Sequence, residues 1–310
     1  MKQSRVESRE SSGIMKILFF IVFFLFAIHY PLSIASAKAP PLTARGAVVM
    51  EASTGRLLFA KNPDLRFAPA STVKVMTAII VVERADLDKS VTISSRAASQ
   101  SGSSLHLKNG SKIRIEDLLY ASLMRSANDA AVALAEAVAG SEREFVKLMN
   151  QKAIQIGATN TRYINATGLP GKGQYTTARD LSRIMRYAIR NPVIKEILST
   201  KARKINTGRG RNIFIRNSNK LLWKKDHMIG GKTGFTRKAR HCFVGVAKKD
   251  DSKVITAVLG SSSRNKLWSE ARKLFERGFR LIAMQASTVH VVKTELKDSK
   301  TVAKKIKAQD

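Results

Sequence analysis

The order of elements along the chain predicts an α/β fold in which N- and C-terminal strands are neighbours in one sheet, with a helical insert between them. Three observations carry this. Two strand-like runs, residues 47–51 and 56–60, open the folded part around a Ser53-Thr54-Gly55 turn. Three more, residues 234–236, 241–247 and 254–259, close it, the last two joined by Lys249-Asp250-Asp251-Ser252. Between them lie long stretches with apolar residues at helical spacing.

The helices follow in order. Residues 71–84 place Val75, Ala78, Ile79 and Val82 on one side, and Pro69 stands just upstream, where a helix can begin but not extend backwards. Residues 115–139 are Ala- and Leu-rich and read as two helices broken near Ser126-Ala127-Asn128. Residues 142–156 and 177–190 read as two more, the second opened by a capping box of Thr177 and Asp180. An amphipathic helix over 268–284 ends the domain, and residues 287–310 form a short Lys-rich tail, too few for a core of their own.

The chain has 310 residues, 44% of them hydrophobic and 25% charged, which suits a packed globular domain. Its formal net charge of +32 predicts attraction to polyanions: nucleic acid, anionic lipid or anionic wall polymer. The N-terminus narrows that choice. Residues 17–28 are unbroken apolar, Lys16 precedes them with Arg5 and Arg9 upstream, and Ala35-Ser36-Ala37 follows as a small-x-small cleavage pattern. This is the layout of a secretory signal peptide, residues 1–37, with a short uncleaved anchor as the alternative. A linker over 38–46 leads into a single catalytic domain, residues 38–286. Export places the protein in the periplasm or on the outer face of the cytoplasmic membrane and argues against nucleic acid as a partner. Cys242 is the lone cysteine, so no internal disulfide forms and packing must hold the fold.

Three short motifs stand in order: Ser71-Thr72-Val73-Lys74, Ser126-Ala127-Asn128 and Lys232-Thr233-Gly234. A serine hydroxyl is a poor nucleophile until a base takes its proton. On a helix Ser71 and Lys74 share one face, one turn apart. Lys74 acts as base only when neutral, and burial beside a second cation such as Lys232 lowers its pKa. Ser126 relays the proton towards the leaving group, and Asn128 holds a substrate amide and fixes Lys74. Lys232-Thr233-Gly234 opens an edge strand along which an extended peptide docks, Gly234 allowing close backbone approach. The backbone N–H groups of Ser71 and Phe235 form the oxyanion hole. Ser71, Lys74 and Ser126 are thus the catalytic set, and Asn128, Lys232, Thr233, Gly234 and Phe235 bind substrate.

These motifs, with residues 68–78, 126–130, 174–180 and 231–236 around them, resemble the low-molecular-mass penicillin-binding proteins, the serine D-alanyl-D-alanine carboxypeptidases. The resemblance covers roughly residues 45–284 and implies a penicillin-binding/β-lactamase-like fold, an antiparallel sheet from N- and C-terminal strands flanked by helices. It implies peptidoglycan stem peptides ending in D-Ala-D-Ala as substrate and β-lactams as covalent inhibitors, with no cofactor and no metal. Cross-link-cutting D,D-endopeptidases, similar around Phe235-Thr236 and His241-Cys242, are the alternative activity. The different-class alternative is a non-catalytic cell-wall-binding protein. The middle motif carries Ala127, a common kind of variation in the carboxypeptidases. Where many relatives place a carboxylate-binding arginine the alignment gives Leu267, leaving Arg264 or Lys266 to supply the charge. No glutamate between Asn128 and Lys232 offers itself for the fast deacylation of a class A β-lactamase.

The remaining features have plainer readings. His241 and Cys242 lack further ligands at metal spacing. His106 and His227 read as surface, and Trp223 and Trp268 as packing residues. Residues 201–225 hold nine basic side chains and no acidic one. A solvated hairpin or loop, and a contact with anionic wall polymer or a substrate carboxylate, fit that density equally. For the chain as a whole, anionic wall polymer or a membrane surface suits the net charge.

Overall fold

Strands that are apolar on both faces must be covered on both, and this decides where the sheet sits. In the computed structural model, which describes residues 42–307 except 209, 225 and 226, strand β1 (Gly46–Glu51) sends Val48 and Met50 to one side and Ala47 and Val49 to the other. The signal peptide expected over 1–37 lies outside the described residues. β1 forms a hairpin with β2 (Leu57–Lys61) and pairs along its other edge with β9 (Ser252–Ser261), Val48 opposite Ala257. The two ends of the folded chain therefore meet in one sheet, as the sequence predicts. β8 (Arg240–Lys249) and β7 (Met228–Thr236) complete the order β2-β1-β9-β8-β7, antiparallel throughout, with β7 at the edge.

β7 starts earlier than the pattern suggests. Its first half hides behind Gly230 and Gly231, poor strand formers that are needed here for space. A Cβ at Gly230 would lie 2.6 Å from the Leu198 carbonyl oxygen, and one at Gly231 would lie 2.7 Å from that of Val244. Lys232-Thr233-Gly234 consequently sits inside a nine-residue edge strand instead of opening it.

On one face lies the helical insert. Its central helix α1 (Lys74–Arg84) is buried from Lys74 through Val81. Ser71 precedes α1 in a 3-10 turn (Ala70–Val73), so the expected helix over 71–84 tightens in its first turn. A small hairpin of β3 (Ser90–Thr92) and β4 (Lys112–Arg114) encloses the short α2 (Ser95–Ala98). Next come α3 (Ile115–Met124) and α4 (Asn128–Ala139), broken where the sequence places the break, with Ser126 at φ 63°. α5 (Glu142–Gln155) is capped by Ser141, whose hydroxyl accepts from the Glu144 amide at 3.2 Å. In α6 (Ala178–Ala188) Thr177 accepts from the Asp180 amide, but the Asp180 carboxylate accepts from the Asn160 amide and the Thr161 hydroxyl, so half of the expected capping box serves another loop. α7 (Pro192–Ser199), the hairpin β5 (Ala202–Asn206)–β6 (Asn212–Arg216) and the one-turn α8 (Leu221–Lys224) lead into β7.

The other face is covered by α9 (Arg264–Lys307), whose Leu267, Ala271, Leu274 and Phe275 pack on Ala47, Val49, Phe243, Val254 and Val258. Gly278 lets the helix settle closely, since a Cβ there would lie 2.7 Å from methyls of Val49 and Val254. α9 runs well past the expected end at Met284, because residues 285–307 contain neither Gly nor Pro to stop it. Among the described residues no helix is long and apolar enough to cross a membrane.

Candidate active site

Three elements from distant parts of the chain converge beside β7. The 3-10 turn before α1 carries Ser71, and the next turn carries Lys74, wholly buried. Lys74 Nζ lies 3.4 Å from Ser71 Oγ and donates to Asn128 Oδ1 at 2.7 Å and to the Thr167 carbonyl at 2.6 Å. Burial, and after it the nearby Lys232 ammonium, hold Lys74 well below the ordinary lysine value, with the Asp129 carboxylate acting the other way. A lowered pKa is the condition that a lysine base for Ser71 requires.

Lys232 projects from β7 and is also fully buried; burial pushes it down to about 7. Its ammonium donates to Ser126 Oγ and to the Thr233 carbonyl, each at 3.0 Å. Ser126 is held with positive φ in the break between α3 and α4, a strained conformation of the kind found at functional sites.

Gly234 brings the edge strand against the nucleophile. A Cβ on it would stand 2.9 Å from the Ser71 backbone nitrogen, 3.0 Å from Ala70 Cβ and 3.1 Å from the Thr72 nitrogen. Phe235 follows, 58% exposed, its ring centroid 4.5 Å from that of His241 across the β7–β8 pair. Burial and the Arg264 charge both lower the His241 pKa.

The cleft in front of Ser71 has a volume of about 470 Å³, and its walls include Ser126, Ser218, Thr233, Gly234, Phe235 and Trp268. Arg125 and Arg264 line it, and among the described residues no carboxylate does. Leu267 forms part of the wall, 2% exposed, while Lys266 is exposed and stands outside it. A larger cavity of about 630 Å³, between α9 and the β8–β9 turn, contains none of the motif residues.

The structure gathers Ser71, Lys74, Ser126, Asn128, Lys232, Thr233, Gly234 and Phe235 around one centre, with one difference in attitude. Asn128 is 3% exposed and both ends of its amide are engaged, Oδ1 by Lys74 and Nδ2 by the Ser101 carbonyl at 2.7 Å. It sits behind the cleft and fixes Lys74. Cys242 is wholly buried, its thiol pushed up to about 12 by burial, with Sγ 3.3 Å from the Ala239 carbonyl. That is a packing role and not the setting of a reactive thiolate. Among the described residues no cluster of His, Cys, Asp and Glu could hold a metal.

Sequence reasoning passes over several supports. The Thr167 carbonyl is main chain and leaves no residue signature. Gly168, at φ +83°, carries the segment over the nucleophile's turn; a Cβ there would lie 2.0 Å from the Ala70 carbonyl oxygen. The turn signature Gly168-Leu169-Pro170-Gly171 is the signal that could have found it. Ser218 reaches in from the end of β6, its hydroxyl 2.9 Å from that of Thr233. Asp129, wholly buried, accepts from the Ser104 hydroxyl and the amides of Leu105 and Leu107, securing the loop whose Ser101 carbonyl holds Asn128.

Known proteins resemble this chain in sequence and fold. A family model described as D-alanyl-D-alanine carboxypeptidase, peptidase S11, matches residues 33–263. The D-alanyl-D-alanine carboxypeptidase DacF of Bacillus subtilis is 34% identical over 241 residues, covering 76% of this chain and 62% of that one, so the chain spans under two thirds of this relative's length. The D-alanyl-D-alanine endopeptidase of Pseudomonas aeruginosa is 34% identical over 267 residues, covering 81% and 86%. Among solved structures, a variant of the Streptomyces K15 DD-transpeptidase superimposes with a TM-score of 0.74 at 32% identity, covering 78% of this chain and 99% of that one. With the motif residues gathered at one centre, the penicillin-binding fold around them and three quarters of the chain under one family model, this chain belongs to the D-alanyl-D-alanine carboxypeptidase family.

Proposed function

We propose that the chain is a serine acyl-enzyme D,D-carboxypeptidase that removes the terminal D-alanine from peptidoglycan stem peptides ending in D-Ala-D-Ala, and that β-lactams acylate the same serine. The observation that carries this is a wholly buried lysine amine, lowered in pKa, 3.4 Å from a serine hydroxyl at the foot of an edge strand.

The stem peptide lies extended beside β7. Neutral Lys74 takes the Ser71 proton as Oγ attacks the carbonyl of the penultimate D-alanine. The backbone N–H groups of Ser71 and Phe235 receive the oxyanion, each such donor contributing about 10²–10³ in rate. Ser126, oriented by the Lys232 ammonium, hands its hydroxyl proton to the leaving amine and takes up the proton held on Lys74, so D-alanine departs and Lys74 is neutral again. Water then hydrolyses the Ser71 ester and restores the hydroxyl. The terminal carboxylate meets the cations of the cleft, Arg264 first and Arg125 beside it; of the two candidates in the sequence, Arg264 is the one that faces the site. A cleft wall with no carboxylate among the described residues supports slow deacylation of a bound β-lactam.

In this reading residues 1–37 direct export, 38–286 form the catalytic domain and 287–310 a basic tail, and the reaction takes place outside the cytoplasm. The second reading is a D,D-endopeptidase that cuts cross-links. It is favoured by the P. aeruginosa relative, of whose length the chain covers 86%. Product analysis separates the two. Incubation with pentapeptide monomers and with cross-linked dimers yields free D-alanine and tetrapeptide in the first case, and monomers from dimers in the second. Turnover of neither would refute both.

A further inference from the structure

The β5–β6 hairpin presents a surface that the chemistry of the cleft does not use. In its register Lys204 stands opposite Phe214 and Ala202 opposite Arg216, so Lys204, Phe214 and Arg216 share the outward face. Ile205 and Ile215, on the other face, are buried and hold the hairpin to the core. Phe214 is 69% exposed, the most exposed large apolar side chain among the described residues, and nothing in the fold requires it there.

The face continues onto α8. The Arg216 guanidinium lies 4.4 Å from the Trp223 ring centroid, and Trp223 is itself 39% exposed, its indole N–H donating to the Asn217 carbonyl at 3.1 Å. Lys201 and Arg211, flanking the hairpin strands, and Lys220 and Lys224, at and in α8, are exposed as well. Among the described residues none of these cations is ion-paired; Arg203, which does pair with Glu116 at 3.1 Å, belongs to the other face of β5.

We propose that this hairpin and α8 form a docking surface for an anionic phospholipid bilayer. The cations match the charge of the lipid headgroups, and each one near an anionic leaflet strengthens partitioning about fivefold. The exposed apolar faces of Phe214 and Trp223 enter the layer at the headgroup level, the Trp223 N–H staying bonded to the Asn217 carbonyl. A soluble anionic polymer matches the charge but offers no layer for Phe214, and this decides between the two anionic partners. The surface lies close to the cleft, because the chain leaves β6 through Asn217 into Ser218, whose hydroxyl reaches Thr233. Docking there holds the cleft beside the membrane surface.

The test follows Trp223 itself, so that the apolar N-terminus of the full chain does not confuse the reading. The chain has two tryptophans, and Trp268→Phe leaves Trp223 as the sole tryptophan, excited selectively at the red edge of the absorption where tyrosine does not absorb. The full-length variant is mixed with vesicles of brominated phosphatidylcholine, with and without phosphatidylglycerol. The proposal predicts quenching of Trp223 only when phosphatidylglycerol is present. Lys204→Glu with Lys220→Glu should raise the lipid needed for half-quenching more than tenfold, and Phe214→Ser several-fold, with circular dichroism unchanged. No quenching with phosphatidylglycerol, or equal quenching without it, overturns the proposal. So does soluble polyphosphate binding lost on charge reversal while Phe214→Ser leaves vesicle quenching untouched, which would mark a polymer site.

Discussion

The Lys232 ammonium donates to Ser126 Oγ at 3.0 Å, joining the edge strand to the break between α3 and α4 across 106 residues of sequence. One cation thus orients the proposed proton relay and places positive charge behind the cleft. Replacing Lys232 by Ala removes both effects. Stopped-flow acylation by a chromogenic cephalosporin should show a lower limiting rate and a weaker apparent affinity. Loss of rate with affinity unchanged would confine Lys232 to positioning Ser126.

Buried lysines also set how stability responds to pH. The unfolded chain keeps the Lys232 proton up to its ordinary value of 10.5, the folded chain only up to about 7, and Lys74 is lowered in the same direction. Between those values the unfolded state binds more protons, so stability rises with pH through the window. The Cys242 thiol, ordinarily at 9.0 and here pushed up to about 12, opposes this once the pH passes about 9. The melting temperature of the wild type should therefore climb from pH 7 to about 8.5. That of Lys232→Met should climb less; equal slopes would mean that the buried ammonium is not the source.

Two glycines of similar conformation should behave differently. Gly140, at φ +74°, ends α4 with open space around it, nothing lying within 4 Å of where a Cβ would stand, whereas at Gly168 the same atom would meet the Ala70 carbonyl oxygen at 2.0 Å. Gly140→Ala should cost about 1–2 kcal/mol of stability from backbone strain alone and leave acylation intact. Gly168→Ala should depress acylation strongly even in the folded fraction, because the clash falls one residue before Ser71 and one after the Thr167 carbonyl that holds Lys74. Equal acylation by the two variants would show that this contact does not position the nucleophile.

These differences trace what was legible in the sequence. Ser71, Lys74, Ser126 and Lys232 were legible because their chemistry demands specific side chains at fixed local spacing. The neighbouring of β1 and β9 was legible because strands open and close the folded chain with helices between them. The Thr167 carbonyl was not, since main-chain acceptors leave no trace in residue type. The first half of β7 was hidden by Gly230 and Gly231, which answer to a close approach by Leu198 and Val244 and not to strand propensity. Asn128 reads in the sequence as both a substrate contact and a support for Lys74; its burial and its bond to the Ser101 carbonyl were not legible, because the partner is again main chain.

Arg264 should distinguish peptide from ester. A charge-assisted hydrogen bond to a carboxylate is worth about 1.5–3 kcal/mol, or roughly 10–100-fold in rate. Arg264→Ala should lose that much kcat/KM on a D-Ala-D-Ala peptide and much less on a thioester without the terminal carboxylate. Lys266→Ala should lose neither, because its side chain stands outside the cleft. If Arg264→Ala leaves both substrates unaffected, Arg125 becomes the residue to examine.

The central claim is that Ser71 is the acylated nucleophile and Lys74 its base. Peptide mapping by mass spectrometry after brief exposure to benzylpenicillin tests it most directly. In the wild type the penicilloyl group should sit on Ser71. In Lys74→Ala the same adduct should form about 10²–10⁴-fold more slowly, the usual contribution of a positioned general base. An adduct on another serine, or an adduct on Ser71 forming at wild-type speed without Lys74, would contradict the account.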